Sequence, residues 1–319
     1  MDTRPTSFLN DFVHKNLDDG DSPAARIARA IHEDGIETWA DFEMKMGLHA
    51  ERFDGDGAEA NAYLEEIEAL ESGLQQWLSK KDLEVTDELL RENALSTFSA
   101  FASVSVLLNR NGVPLKSASA TSNSLIFLCF NYTDAFLRMH TIASSVGIID
   151  EGGFPYNSGG VIRPHGSLDT LLVCGVDNAN QISNEPFRLN EDIVASVVKE
   201  AQQRNDSFNF DRDAINAIKG SDIVCIYGMS LGHSDRRWWR CIADAVLDVK
   251  CPVKYLVLLP YEINGQNLAI PTRRRKVKEE QKRRFIEAAE IDDSTASVLK
   301  PSILVYPSET LLPKLVEQS

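Results

Sequence analysis

Three short segments of the chain carry residue types that can do chemistry, and the first centres on an asparagine. The segment Phe130–Asp134 (FNYTD) directly follows the apolar run SLIFLC. A buried strand here would deliver Asn131 into a crevice, with Thr133 or Asp134 capping the next helix. An amide in that position can hydrogen-bond a ribose hydroxyl or hold a water molecule. The alternative is a turn-forming asparagine that only helps the helix to begin.

The second segment is Pro164-His165-Gly166, shortly before the run LLVCG. An imidazole, with an ordinary pKa of about 6.5, suits proton transfer near neutrality. Gly166 would let a ligand approach the backbone closely. Of the six histidines, only His165 lies in a Pro-His-Gly turn that leads into a predicted strand. The alternative is a structural histidine in a turn.

The third segment is the glycine-rich turn GMSLGHSD, from Gly228 to Asp235, between the run DIVCIYG and the helix-like stretch DRRWWRCIADAVL. Small residues such as Gly228 and Ser230, followed by Leu231, allow backbone N–H groups to face an anion at the start of a helix. The turn is neither a Walker loop nor a GxGxxG motif. Asp235 either contacts a ligand or caps the helix.

A basic run, Arg273–Arg284, holds eight Lys or Arg in twelve residues. It could bind a nucleotide phosphate, a nucleic-acid strand or the acidic lobe of a neighbouring subunit. The favoured interpretation is a solvated charged helix in which Glu279 and Glu280 pair with neighbouring bases.

The elements that must position these segments change in type near residue 120. Before it, Leu64, Ile67, Leu70, Leu74 and Leu78 recur at helical spacing, and a second helix is predicted from about Asp87 to Leu108. After it, apolar runs alternate with helical stretches, which indicates a parallel sheet covered on both faces. The predicted strands are Leu125–Phe130, Leu171–Cys174, Ile223–Tyr227, Val253–Leu259 and Ile303–Tyr306, and the predicted helices are Asp134–Ser145, Glu191–Gln203, Ser234–Leu247 and Glu279–Ala289.

All three segments fall at the ends of predicted strands, where such sheets bind ligands. The net charge of −15 argues against general affinity for nucleic acid or anionic membranes. No apolar run reaches the roughly 18 residues of a membrane span, and the first residues carry no secretory signal. The five cysteines include no CxxC pair. We therefore predict a cytoplasmic protein without a disulfide framework or a zinc site.

The order of strand-FNYT, then HG, then strand-GxSLGxxD resembles the AbiH family of bacteriophage abortive-infection proteins. More distantly, it resembles the sirtuin-like domains of bacterial antiviral proteins. Two earlier segments join the resemblance: Pro5–Phe12 (PTSFLNDF) is similar to the family's T-S-Y-x-x-F segment, and Trp39–Glu43 (WADFE) to its W-x-x-x-E segment. The resemblance implies an α/β fold with a Rossmann-like (sirtuin-like) parallel sheet and a largely helical inserted lobe.

The implied domains are a remnant of an N-terminal α/β element (1–22), the helical lobe (23–118) and a Rossmann-like nucleotide-binding core (119–319). The resemblance also predicts an opening strand and a G-N-G-F-D segment ahead of Asp2. This sequence begins after them, so an edge or central strand and part of the nucleotide site are expected to be absent.

The resemblance implies NAD as substrate or ligand, with no metal. Asn131 and His165 would flank the nicotinamide ribose as the catalytic pair, and Ser230 would contact phosphate or ribose. Glu43, Asp134 and Asp235 are candidates for stabilising positive charge on the sugar. The implied nucleotide-binding set is Thr133, Asp134, Gly166, Gly228, Ser230, Leu231 and Asp235.

The leading hypothesis is an anti-phage effector that binds NAD or a related nucleotide and hydrolyses its N-glycosidic bond. The alternative is a non-catalytic nucleotide sensor or toxin subunit of a defence system. A third hypothesis is a nucleic-acid-directed effector that uses Arg273–Arg284. The partners expected are a nucleotide ligand, a second copy of the chain or another defence protein, with no membrane.

Overall fold

The computed structural model describes residues 5–34, 39–115, 123–170, 172–205, 210–229, 231–260 and 269–311. The protein is a mixed α/β structure. Its helices are α1 Pro5–Asn16, α2 Pro23–Asp34, α3 Trp39–His49, α4 Gly57–Leu83, α5 Asp87–Ala102, α6 Val104–Arg110, α7 Ala135–Val146, α8 Glu185–Arg188, α9 Glu191–Val197, α10 Lys199–Asn205, α11 Phe210–Gly220, α12 Arg236–Leu247, α13 Pro271–Ala288 and α14 Asp293–Leu299. Its strands are β1 Asn123–Leu128, β2 Ile148–Ile149, β3 Pro155–Ile162, β4 Ile223–Tyr227, β5 Tyr255–Leu259 and β6 Ile303–Val305.

The two long helices predicted in the first part of the chain are confirmed as α4 and as α5 with α6. Asp56 caps α4 by accepting a hydrogen bond from the Glu59 N–H at 2.8 Å, and Thr86 caps α5. The buried side of α4 packs with α1, α2 and α3 into one apolar cluster. That cluster also contains Tyr132, Cys174 and Val176. The helical part and the later part of the chain therefore share one core.

Within the described residues, the strands form two three-stranded sheets rather than the single sheet expected from the alternation of apolar runs and helices. The first has the order β1-β3-β2, with β1 parallel to β3, and the second is the parallel sheet β4-β5-β6. Strand β3 was not predicted because its sequence, PYNSGGVI, is polar and glycine-rich. Its register with β1 shifts near Gly160, where φ is +93°.

The predicted strand Leu171–Cys174 is wrong over its described part. Leu172 makes a single bridge to Gly166, and Cys174 packs into the core beside the helical lobe. A short apolar run reads the same whether it pairs with a strand or crosses a core as irregular chain, so periodicity alone could not distinguish the two.

Most predicted helices are present with shifted ends. The predicted helix Glu191–Gln203 is divided into α9 and α10, because Val198 is extended and bridges Val176. Helix α13 begins eight residues before the predicted start at Glu279, with Pro271 in its first turn. None of the helices in the described ranges combines the length and the apolar character that a membrane span requires.

Candidate functional site

A cavity of about 1970 Å³ lies between the two sheets. The residues predicted to bind a ligand or to take part in catalysis meet at its wall. Asn131, His165, Gly228, Glu43 and Asp235 all line this cavity. Asn131 and Gly228 follow the carboxyl ends of β1 and β4, so the sheet ends bring together segments about a hundred residues apart in the chain.

His165 is held in a fixed orientation by its turn and by two aromatic rings. Gly166, with φ +72°, closes the turn by donating its N–H to the Arg163 carbonyl at 3.0 Å. The imidazole stacks on Tyr132 at 6.1 Å between centroids and meets the edge of Phe130 at 4.9 Å. The side chain is buried, with 3% of its residue surface exposed. The sequence context that singled out this histidine therefore corresponds to a constrained side chain.

The His165 imidazole contacts a buried carboxylate. Its Nε2 lies 3.0 Å from Asp235 Oδ1. The ring N–H is not aligned with that oxygen well enough for a hydrogen bond, and Nε2 has no other partner among the described residues. The contact is therefore electrostatic, and a small ring rotation would turn it into a directed bond.

Lys199, at the start of α10, joins the two carboxylates of the site. Its Nζ lies 2.7 Å from Glu43 Oε1 and 2.8 Å from Asp235 Oδ1, and it donates to the Ser234 carbonyl at 3.1 Å. All four side chains of this charged cluster, which are Glu43, His165, Lys199 and Asp235, are largely buried.

The electrostatics of the charged cluster follow from burial opposed by Lys199. Burial raises the pKa of Glu43, and the Lys199 ammonium only partly offsets this effect. Burial would also raise the pKa of Asp235, but Lys199 and His165 outweigh it and hold that pKa below its usual range. Burial disfavours the charged form of Lys199, yet the two carboxylates outweigh it and raise the Lys199 pKa. Asp235 and Lys199 thus form an ion pair at neutral pH, and Glu43 is the acid that holds a proton more readily.

The guanidinium group of Arg163 holds the FNYTD loop, Phe130–Asp134, in place. It donates to the carbonyl groups of Tyr132 at 2.5 Å and Thr133 at 3.0 Å, and it forms an ion pair with Asp134. Asp134 stands at the N-cap position of α7, but its side chain makes no capping bond because it pairs with Arg163. Of the two N-cap residues predicted for this helix, the structure has Asp134, and Arg163 neutralises its negative charge locally. Asn131 is left exposed at the cavity, whereas Thr133 is buried beside it.

The glycine-rich turn is positioned as predicted after β4, but the helix end beside it is already occupied. Gly228 has φ +66°, which favours glycine. Asp177 Oδ1 accepts the Arg237 N–H at 3.0 Å in the first turn of α12, so that end is not open to a phosphate. Leu231 packs into the apolar core of the second sheet instead of lining the cavity. Ser230 lies outside the described residues.

Asp235 occupies the N-cap position of α12 without making a capping hydrogen bond. Its carboxylate instead receives Lys199 and His165. Of the two roles considered for Asp235 from the sequence, its place at the start of the helix is confirmed, although without a side-chain capping bond, and contact with a ligand stays a prediction. Lys199 and Arg163 were missed altogether, because an isolated Lys in a helical stretch and an Arg next to a Pro carry no sequence signal.

The basic run lies in α13 and has the structure of a solvated helix. Arg283 pairs with Glu280 and Glu287, and Lys282 lies 3.5 Å from Glu279. The predicted pairing of Glu279 and Glu280 with neighbouring bases is confirmed. Within the described residues, no group of three His, Cys, Asp or Glu side chains is arranged to hold a metal ion.

The fold and the site define a mixed α/β protein with a large cavity at strand ends and a buried His-Asp-Lys-Glu cluster. Comparison with protein families gives one assignment: the family model described as bacteriophage abortive infection AbiH matches residues 2–255. The chain therefore belongs to the AbiH family of abortive-infection proteins. Neither the search of curated proteins nor that of solved structures gave a match. The matched range includes every residue of the charged cluster and ends at the start of β5.

Proposed function

We propose that this AbiH protein is an anti-phage effector whose cavity binds a nucleotide and hydrolyses the N-glycosidic bond of NAD. The observation that carries the proposal is the buried His165–Asp235 contact at the cavity end where Asn131 and Gly228 also lie. A histidine oriented by a buried carboxylate is a suitable proton acceptor in a site shielded from bulk water.

In the proposed reaction, the bond between the ribose C1 and the nicotinamide nitrogen breaks, and nicotinamide leaves with the bonding electrons as a neutral molecule. Water adds to C1 of the oxocarbenium-like sugar. Asn131 positions the ribose or this water. His165 accepts a proton from a ribose hydroxyl and returns it to that oxygen once water has added to C1, and solvent receives the proton that the added water loses. The products are nicotinamide, ADP-ribose and one proton.

The carboxylates nearest to His165 fit the stabilisation of positive charge on the sugar. Glu43 and Asp235 share the Lys199 ammonium group, so the charged cluster retains a negative charge when both acids are ionised and His165 is neutral. Asp134 does not suit this role because Arg163 already neutralises it. We therefore assign the electrostatic role to Glu43 and Asp235 and a loop-holding role to Asp134.

The test is nicotinamide release from NAD, followed by liquid chromatography with and without extract from phage-infected cells. Asn131→Ala and His165→Ala should each lower the rate by about 100-fold or more. His32→Ala is the matched control, because His32 is exposed on α2 away from the cavity, and it should keep the full rate. Absence of release under both conditions, with a correctly folded protein, would refute hydrolysis.

A non-catalytic nucleotide sensor is the second candidate, and one observation favours it. The acids of the charged cluster are already paired with Lys199, which is an arrangement that a binding site tolerates as well as a catalytic one. This function predicts that NAD raises the unfolding temperature without being consumed. It also predicts that His165→Ala reduces that stabilisation only slightly.

A further inference from the structure

The basic run Arg273–Arg284 divides into two halves that differ in charge pairing. In the second half, Arg283 forms ion pairs with Glu280 and Glu287. In the first half, the four consecutive bases Arg273–Lys276, which we call the basic tip, form no ion pair within the described residues. The stretch PTRRRKVK that contains them has no acidic residue. Pairing within the helix therefore accounts for the second half of the run only.

The basic tip projects from the described part of the protein. Every residue from Pro271 to Lys276 is exposed. Burial in α13 begins at Val277, which packs against the core of the second sheet, and it continues through Gln281 and Phe285. At a rise of about 1.5 Å per residue, the six exposed residues extend roughly 9 Å beyond the packed part of the helix. A partner can therefore reach the basic tip from all sides.

The basic tip projects at the edge of the sheet where the strands end. Gln281 lies close to Gly228 and Pro260, which follow the carboxyl ends of β4 and β5. The Lys278 ammonium stands 4.8 Å above the ring of Tyr306, which follows β6. The part of α13 before Lys278 therefore extends past the ends of all three strands. Because Gly228 also lines the cavity, the basic tip and the candidate site share this edge of the molecule.

Four bases are an unfavourable way to begin a helix. The amino end of a helix carries a partial positive charge, so it favours acidic residues and disfavours basic ones. Like charges one turn apart also repel. Arg274 and Lys278 have this spacing, and burial together with repulsion by Arg274 lowers the pKa of Lys278. A partner that supplies negative charge would relieve this repulsion.

The distribution of charge around the helix identifies the kind of partner. Successive residues of an α-helix are rotated by about 100°, so four consecutive bases face all sides of the basic tip. An acidic protein surface, such as that of a second copy, would meet one side only. A membrane surface requires an apolar face opposite the basic one, and the exposed stretch PTRRRK has none. The major groove of B-form DNA, about 12 Å wide, admits an α-helix and has phosphates along both walls.

We propose that the basic tip of α13 binds double-stranded DNA by entering the major groove, where Arg273–Lys276 contact phosphates of both strands. Phosphate contacts carry little sequence information, so binding should depend only weakly on sequence. The net charge of −15 repels DNA from the rest of the surface, which confines the contact to the basic tip. The duplex is then held at the edge that bears the candidate site. This binding does not depend on cleavage of NAD.

The test is fluorescence anisotropy of a fluorescein-labelled, mixed-sequence DNA duplex of about 20 base pairs, titrated with the whole chain. Four phosphate contacts predict that affinity falls roughly 150-fold between about 50 and 200 mM salt. The triple variant Arg273→Glu, Arg275→Glu, Lys276→Glu should bind at least about 30-fold more weakly at the lower salt concentration. Its unfolding temperature should not fall, because acidic residues favour the start of a helix. Lost binding is then not a result of unfolding.

The matched control is the triple variant Lys15→Glu, Lys80→Glu, Lys250→Glu. It changes the net charge by the same amount at exposed positions outside α13, and its affinity should stay within about fivefold of the wild type. The proposal is overturned if the duplex is not bound, if the two triple variants weaken binding equally, or if a single strand of the same length binds as tightly. It is also overturned if light scattering shows a dimer that only the basic-tip variant dissociates, because a second copy then occupies the basic tip.

Discussion

Replacing Lys199 by Met removes a cation that the two buried acids of the site, Glu43 and Asp235, share. The substitution keeps the length and apolar stem of the side chain, so the loss is electrostatic rather than a cavity. It deletes three contacts of the ammonium, to Glu43 at 2.7 Å, to Asp235 at 2.8 Å and to the Ser234 carbonyl at 3.1 Å. Two carboxylates are then left buried, and among the described residues His165 is the remaining ionisable partner, in contact with Asp235.

The expected cost follows from these distances. At an effective dielectric constant of about 20, each ammonium–carboxylate contact is worth roughly 6 kcal/mol before hydration is counted. Recovered hydration offsets much of this, and breaking one side of a buried pair typically costs about 3–5 kcal/mol. With an unfolding entropy of about 2.1 cal/mol/K per residue, the unfolding temperature should fall by roughly 5–7 °C at neutral pH.

The cost should depend on pH, and its sign follows from the two acids. The pKa of Glu43 is raised in the folded protein, so its contribution to stability is full at low pH and is lost as pH rises through the folded pKa. Without the ammonium that pKa rises further. The pKa of Asp235 is lowered, so it stabilises above its unfolded pKa, and the variant loses much of this stabilisation. The loss at Asp235 is therefore already present at pH 5 and stays nearly constant above it, whereas the penalty at Glu43 grows as pH rises, so the deficit is larger at pH 8 than at pH 5.

The assay is thermal unfolding of the wild type and of Lys199→Met at pH 5 and pH 8. Lys80→Met is the control, since Lys80 is exposed on α4 and its loss should change stability by no more than about 0.5 kcal/mol. Adding Glu43→Gln to the variant should restore part of the lost stability at pH 8. A deficit below about 1 kcal/mol at pH 8, or one that is larger at pH 5, would show that the ammonium does not hold the charged cluster together.

Three further predictions concern the scaffold around the site. Arg163→Lys should weaken NAD binding about tenfold in calorimetry, because an ammonium cannot hold the loop carbonyl groups as a guanidinium does; unchanged affinity would refute this. Gly175→Ala should lower the unfolding free energy by more than about 4 kcal/mol, because its Cβ would lie 2.0 Å from the Val197 carbonyl oxygen. Gly147→Ala, with φ +101° but open space, should cost only about 1–3 kcal/mol, and equal losses would contradict the argument. Asp56→Ala should cost about 1 kcal/mol in urea unfolding through the lost cap of α4, and no change would refute the cap.

The sequence predicted elements whose pattern is local. Helix α4 was predictable because its apolar residues recur at helical spacing, and β4 and β5 because a run of β-branched and large apolar residues between loops is typical of a buried strand. The positions of Asn131 and Gly228 at the cavity were predictable because each follows the carboxyl end of a predicted parallel strand. His165 reaches the cavity just after β3, a strand that was not predicted.

What the sequence could not predict depends on pairing over long distances. Strand β3 is held by its ladder with β1, and its own residues have low strand propensity. The division of the sheet into two halves has no local signature at all. Lys199 acquires its role only because α10 brings it against α3 and the turn before α12, which lie far apart in the sequence.

Substitutions at the site should fall into two classes: those in the charged cluster lower stability, and those at the cavity surface lower activity alone. The four side chains of the charged cluster come from four distant segments, so their charges are compensated only when α3, the Pro-His-Gly turn, α10 and the start of α12 are all in place. Loss of an inner charge therefore lowers stability first and activity as a consequence. Asn131 is exposed at the cavity and compensates no buried charge, so its loss should lower activity without lowering stability. If Asn131→Ala lowers the unfolding temperature as much as Lys199→Met does, this division between stabilising and functional residues is wrong.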